Sequence, residues 1–146
     1  MKVTTEVLLV DDNPGDTDLI ADVLERNDRP IHVHSVADGL EAMAFLHCEG
    51  KYANARPPRL IVLDLNMPRK GGQAVLAEVK SDPALLQIPI VVFSTSKARA
   101  DIASSYQLGA NSYVSKPGDL KGFVSAVTAI GDFWLDVTNV PWRKEQ

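Results

Sequence analysis

Five polar residues stand just past short strand-like runs of the chain. Asp11 and Asp12 follow Val7-Leu8-Leu9-Val10, Asp64 follows Leu60-Ile61-Val62-Leu63, Ser94 follows residues 88–93, and Lys116 follows residues 112–115. Three carboxylates brought together repel one another and raise each other's pKa. A hard divalent cation relieves that repulsion, and oxygen-only donors with room for water suit Mg2+. A carboxylate is also a competent nucleophile towards phosphorus, giving an acyl phosphate. Phosphoryl transfer depends on positioning and charge neutralisation more than on covalent help from the protein. Mg2+ and Lys116 would supply that charge, and the Ser94 hydroxyl would donate to a phosphoryl oxygen. His32, His34 and Cys48 are not at the spacing of a zinc site. Taken singly, the residues have plainer readings: Asp11-Asp12 as a helix cap, Ser94 as a turn residue, Lys116 as a solvated lysine. Their conjunction at the ends of four separate strand-like runs is what points to chemistry.

That conjunction requires elements that bring the run ends to one rim. Residues 7–10, 60–63 and 88–93 are apolar and rich in β-branched residues, and each closes in polar or turn-forming residues, which reads as buried strands. Ile31-His32-Val33-His34-Ser35-Val36 alternates and reads as a strand near a sheet edge; residues 112–115 read as a short fifth strand. Between them lie stretches of helical spacing: residues 16–26 with Leu19, Ile20, Val23 and Leu24 on one face, 38–47, 71–80, 98–108 ending at Gly109, and 119–130. Residues 49–58 read as a polar loop. The alternation is (βα)5. Fully apolar strands imply a parallel sheet covered on both faces, so the expected fold is α/β, doubly wound, with five strands in the order 2-1-3-4-5. In such sheets ligands sit outside the carboxyl ends of the strands near the switch point, here between strands one and three. The five polar residues are expected at that place.

Composition narrows the function classes. The 146 residues suffice for one domain with a real core. A net charge of −4 argues against nucleic-acid binding, which calls for a basic face. A single cysteine cannot form an intramolecular disulfide and fits a reducing compartment. Residues 1–6 lack the apolar core of a signal peptide, and no apolar run is long enough to span a membrane, so a cytoplasmic protein is expected.

The sequence resembles the receiver domain of two-component signalling over roughly residues 6–130. The resemblance is carried by Leu8-Leu9-Val10-Asp11-Asp12-Asn13, Asp64-Leu65-Asn66-Met67-Pro68-Arg69-Lys70-Gly71-Gly72, Ser94-Thr95 and Tyr113-Val114-Ser115-Lys116-Pro117. It implies a flavodoxin-like fold and a signalling protein that takes a phosphoryl group from a phosphohistidine on a sensor histidine kinase. It makes Asp64 the phosphoacceptor and Asp12 a direct Mg2+ ligand. Asp11 would act through water, and the backbone carbonyl of Asn66 would complete the protein ligands. Lys116 would contact the phosphoryl group and precede a cis peptide to Pro117. Ser94 and Tyr113 would form the switch, and Asn66, Thr95 and Ser96 would tune the reaction. The chain departs from the family at Gly118, where a large apolar residue usually stands, which puts the packing of that loop in doubt.

The expected receiver covers residues 1–132, with 133–146 as an aromatic tail rather than a second domain. The tail holds Phe133, Trp134 and Trp142 and either folds back on its own domain or buries against a second copy in a twofold homodimer. Leu40-Glu41-Ala42-Met43-Ala44-Phe45-Leu46, the long loop and Phe133-Trp134-Leu135 resemble the small response regulators that pair with cyanobacterial phytochromes, which implies a light-regulated kinase as partner. Two competing functions have distinct signatures. A phosphohydrolase using an aspartyl phosphate usually carries a second acid two residues after the nucleophile, where this chain has Asn66. A receiver-like module that only binds a partner has no need of the complete acidic set.

Overall fold

The computed structural model describes residues 4–26 and 29–139. Five parallel strands form one sheet in the order 2-1-3-4-5: β1 (Thr5–Val10), β2 (Ile31–Val36), β3 (Leu60–Leu63), β4 (Ile90–Ser94) and β5 (Ser112–Ser115). Successive side chains of a strand point to opposite faces, which splits each apolar run between two cores. Val7, Leu9, Leu60, Val62, Val91 and Phe93 pack on one face against α1 (Pro14–Leu24) and α5 (Leu120–Gly131). Leu8, Val10, Ile61, Leu63, Ile90 and Val92 pack on the other against α2 (Gly39–Leu46) and α3 (Gly72–Lys80). The three central strands are fully buried from β1's second half onward, so each large aliphatic there contributes roughly 1.5–3 kcal/mol of transfer free energy. The expected fold class and strand order are those observed.

Local chemistry sets where the helices start, and it moves the expected boundaries by a few residues. Asn13 caps α1 by accepting the Asp16 amide at 3.1 Å, and Pro14 takes the first position, where its missing N–H costs nothing. Helix α1 therefore begins two residues before the expected 16. Strand β4 begins at Ile90 because Pro89 has no N–H to give a ladder. Asp38 caps α2 and Asp119 caps α5. Helix α4 (Arg99–Gln107) buries only Ser105 and closes at Gly109, whose φ of 107° suits glycine. Gly118 has open space around it, so no neighbour is left unfilled by its missing side chain.

Two segments differ from expectation. The loop over residues 49–58 contains a 3-10 turn, Gly50–Tyr52, that buries Tyr52 against Phe45 and His34, with its hydroxyl bonded to Glu41. One aromatic among polar residues carries no periodicity, so the sequence pattern could not reveal this. Helix α5 continues directly into a π-helical segment, Asp132–Val137, across the expected boundary at residue 132. Arg29 ties that segment down through Asp132 and Asp136, and Arg59 donates to the Thr138 carbonyl at 2.9 Å. Trp134 and Leu135 pack on the α1/α5 core, while Phe133 and Val137 are exposed. Trp142 lies outside the described residues. No helix among the described residues is long and apolar enough to cross a membrane.

Candidate functional site

The ends of β1, β3, β4 and β5 deliver the predicted residues to one rim. Carboxylate oxygens of Asp11, Asp12 and Asp64 lie within 4.8 Å of one another. Asp11 and Asp64 are buried and Asp12 is exposed, so the cluster has one wet side. The Lys116 side chain is only 4% exposed and reaches into the cluster. Its ammonium stands 2.7 Å from Asp11 Oδ2, 2.9 Å from Asp16 Oδ2 and 3.4 Å from Asp64 Oδ2.

Backbone amides orient the acids. The Asn13 amide donates to Asp11 Oδ1 at 2.9 Å, and the Leu65 amide donates to Asp64 Oδ1 at 2.8 Å. Gly72 makes room for the Asp64 loop: a Cβ there would sit 2.2 Å from the Asp64 carbonyl oxygen. Burial pushes the Asp11 carboxyl above its usual range, opposed by hydrogen bonds from Lys116 and the Asn13 amide. Burial likewise favours neutral Lys116, but bonds to Asp11 and Asp16 outweigh it and hold the amine firmly charged.

Ser94 is fully buried at the end of β4, its carbonyl accepting the Lys116 amide at 2.7 Å and its hydroxyl facing the Ser96 amide at 3.3 Å. Ser96 bonds Asp101 of α4 at 2.5 Å, and its carbonyl accepts the Tyr113 hydroxyl at 2.8 Å. Tyr113 is thus half-buried against the α2/α3 core rather than free at the edge. Asn66 and Thr95 are exposed beside the rim. The expected cis bond before Pro117 is not found: among the described residues every peptide is trans. The trans form is the intrinsically favoured one, by about 0.5–1 kcal/mol, and Lys116 reaches the acids from it.

Sequence reasoning missed Asp16. Its signal was available as an acid on the first turn of a helix that starts at the rim, but such acids are also ordinary partners of the helix dipole. Beside the rim, a cavity of about 540 Å³ is lined by His34, Asp38, Glu41, Lys51, Tyr52 and Arg69; it shares no residue with the acidic cluster.

A buried ammonium facing clustered carboxylates at the carboxyl edge of a 2-1-3-4-5 sheet defines a receiver, and this chain belongs to the response regulator receiver domain family, whose model matches residues 7–128. It is 42% identical over 135 residues to the response regulator Rcp1 of Synechocystis sp., covering 92% of each chain. Among solved structures it is similar to the phosphorylated cyanobacterial phytochrome response regulator RcpA, with 46% identity, a TM-score of 0.93 and coverage of 96% of this chain and 100% of that one. The Mn2+-bound form of Rcp1 superposes with a TM-score of 0.91 at 41% identity, covering 94% of this chain and 99% of that one. The protein is a receiver of the two-component type, related to the phytochrome response regulators, with an acidic cluster suited to a divalent ion.

Proposed function

We propose that the protein accepts a phosphoryl group on Asp64 from a phosphohistidine of a sensor histidine kinase. A carboxylate oxygen of Asp64 attacks phosphorus, the phosphorus–nitrogen bond to the histidine breaks, and the imidazole leaves with its electron pair and takes up a proton. The observation that carries this reading is the Lys116 ammonium held 3.4 Å from Asp64 in a site closed on one side and open at Asp12. The Leu65 amide holds the Asp64 carboxylate in one orientation before the donor arrives, which lowers the ordering cost of the step. Lys116 and the Ser94 hydroxyl then hold the transferred oxygens.

The oxygen-only donor set fits Mg2+: Asp12 and Asp64, the Asn66 carbonyl, and Asp11 through water would hold it. Bound there, it would neutralise charge on the transferring group. Ser94 and Tyr113 form the switch in this reading. Drawing the Ser94 hydroxyl towards the phosphoryl group disturbs the 94–96 turn, and with it the Ser96 carbonyl that anchors Tyr113. Asn66, Thr95 and Ser96 stand where they would tune how long the phosphoryl group persists. The protein then acts as a phosphoacceptor rather than as a turnover enzyme. Its likeness to RcpA, a cyanobacterial phytochrome response regulator, supports a phytochrome-type kinase as donor. A cytoplasmic setting fits the single cysteine, and the exposed Phe133 and Val137 of the 132–137 segment offer a face for a homodimer. Residues 1–132 would serve as the receiver, with 133–146 as a tail rather than a second domain.

The test is intact-mass measurement after mixing with a phosphorylated phytochrome-type kinase or acetyl phosphate in Mg2+. The protein should gain one base-labile phosphoryl group, and Asp64→Asn should gain none. The same gain on Asp64→Asn would move the acceptor elsewhere.

A further inference from the structure

We propose that Asp16 is a positioning residue for Lys116, sharing the ammonium with Asp11 and drawing it off Asp64. The contact distances order the partners: 2.7 Å to Asp11, 2.9 Å to Asp16, and 3.4 Å to Asp64, the weakest of the three. Asp16 does not belong to the trio of acids whose oxygens lie within 4.8 Å of one another, so it holds the lysine without joining the cation cluster. Its backbone is fixed on the first turn of α1 by the Asn13 cap, at 3.1 Å from the Asn13 side chain, and its side chain is 27% exposed. A carboxylate so placed is partly desolvated, and the ion pair at 2.9 Å holds it towards Lys116 from a fixed backbone position.

The consequence is a division of charge. An ammonium seated midway between Asp11 and Asp64 would compete with a divalent cation for the same oxygens. With Asp16 as a further partner, Lys116 sits to one side, and the oxygens of Asp64 and Asp12 remain negative enough to attract the cation. Once Asp64 carries a phosphoryl group, its oxygens become a further partner for the Lys116 ammonium, which already stands 3.4 Å from Asp64. Asp16 therefore competes with the phosphoryl group for the lysine and shortens the life of the acyl phosphate. This second consequence rests on the reading of Asp64 as the acceptor; the first does not.

A double-mutant cycle separates the two. Mn2+ affinity is measured by titration calorimetry on the unmodified protein, Asp16→Asn, Lys116→Met and the double variant, each checked for folding by circular dichroism. Asp16→Asn should weaken Mn2+ binding about threefold or more when Lys116 is present, and clearly less when Lys116 is methionine. No weakening, or an equal weakening in both backgrounds, would show Asp16 to be a general surface charge and overturn the proposal. These measurements need no phosphorylation, so they do not depend on Asp64 being the acceptor. On Asp16→Asn alone, which keeps the lysine, the acyl phosphate formed from acetyl phosphate should last about threefold longer, since one competitor for the ammonium is gone. An unchanged or shortened lifetime would contradict the competition even where Lys116→Met fails to fold.

Discussion

Lys116 brings a full charge into a place from which water is mostly excluded, and the chain compensates it with three carboxylates at graded distances. A buried charge without a partner costs several kcal/mol, so the ammonium and the acids specify each other's positions. Gly72 matters to this at the scale of a single hydrogen. Its neighbours are backbone atoms of Asp64 and Leu65, which cannot give way as a flexible side chain would. Gly72→Ala should therefore cost about 1–3 kcal/mol by overpacking, read by urea denaturation, and should slow phosphoryl uptake by displacing the Asp64 carboxylate. A variant as stable and as reactive as the parent would mean the β3–α3 loop yields more easily than its contacts imply. The residues of the site were legible because each has a type that its position demands. Asp16 was not legible, because whether a first-turn acid meets a lysine depends on a residue 100 positions away.

At the scale of elements, caps decide where helices begin, and one cap is also an ionic joint. Asp38 is buried, caps α2 by accepting the Glu41 amide at 2.9 Å, and pairs with Arg69, whose φ of 65° is unusual for a residue with a side chain. Burial opposes ionisation of Asp38, but the Glu41 amide and the Arg69 guanidinium outweigh it and hold the carboxyl below its usual range. A carboxyl lowered on folding contributes stability that is fully present above the ordinary value of 3.8 and is lost as pH falls through the depressed folded value. Asp38→Ala should cost about 1 kcal/mol near neutral pH through the lost cap. The difference from the parent should narrow in acid below that ordinary value. Denaturation midpoints at neutral pH and in acid check this, and a difference that grew on acidification would contradict the sign. The spacing of apolar residues revealed the helices and strands, but the shifts in their ends came from caps and prolines that act on backbone groups and leave hydrophobic periodicity unchanged.

At the scale of the whole molecule, the 132–137 segment is the part whose fate the surroundings decide. Trp134 and Leu135 face the α1/α5 core, and Arg29, itself nearly buried, clamps Asp132 and Asp136. Phe133 at 51% and Val137 at 69% exposure turn outward from the same segment, a small apolar surface suited to a second copy. On the homodimer proposed above, Phe133→Asp should give a monomer by light scattering where the parent is a dimer, and should leave the melting temperature near that of the parent, because the side chain is not part of the core. A dimer that survives the change would place the interface on another face.

Local periodicity sufficed to read the sheet, its strand order and the places of the acid, hydroxyl and lysine side chains, because strand burial and helix amphipathicity are written in it and each of these groups stands at a strand end. Tertiary structure alone decided the rest. It brought Asp16 to Lys116, buried Tyr52 beneath its loop, and continued the chain after α5 into a π-helical segment that lays Trp134 and Leu135 on the α1/α5 core. Those outcomes depend on which surfaces meet across the fold, and a chain read one window at a time holds no record of distances between windows.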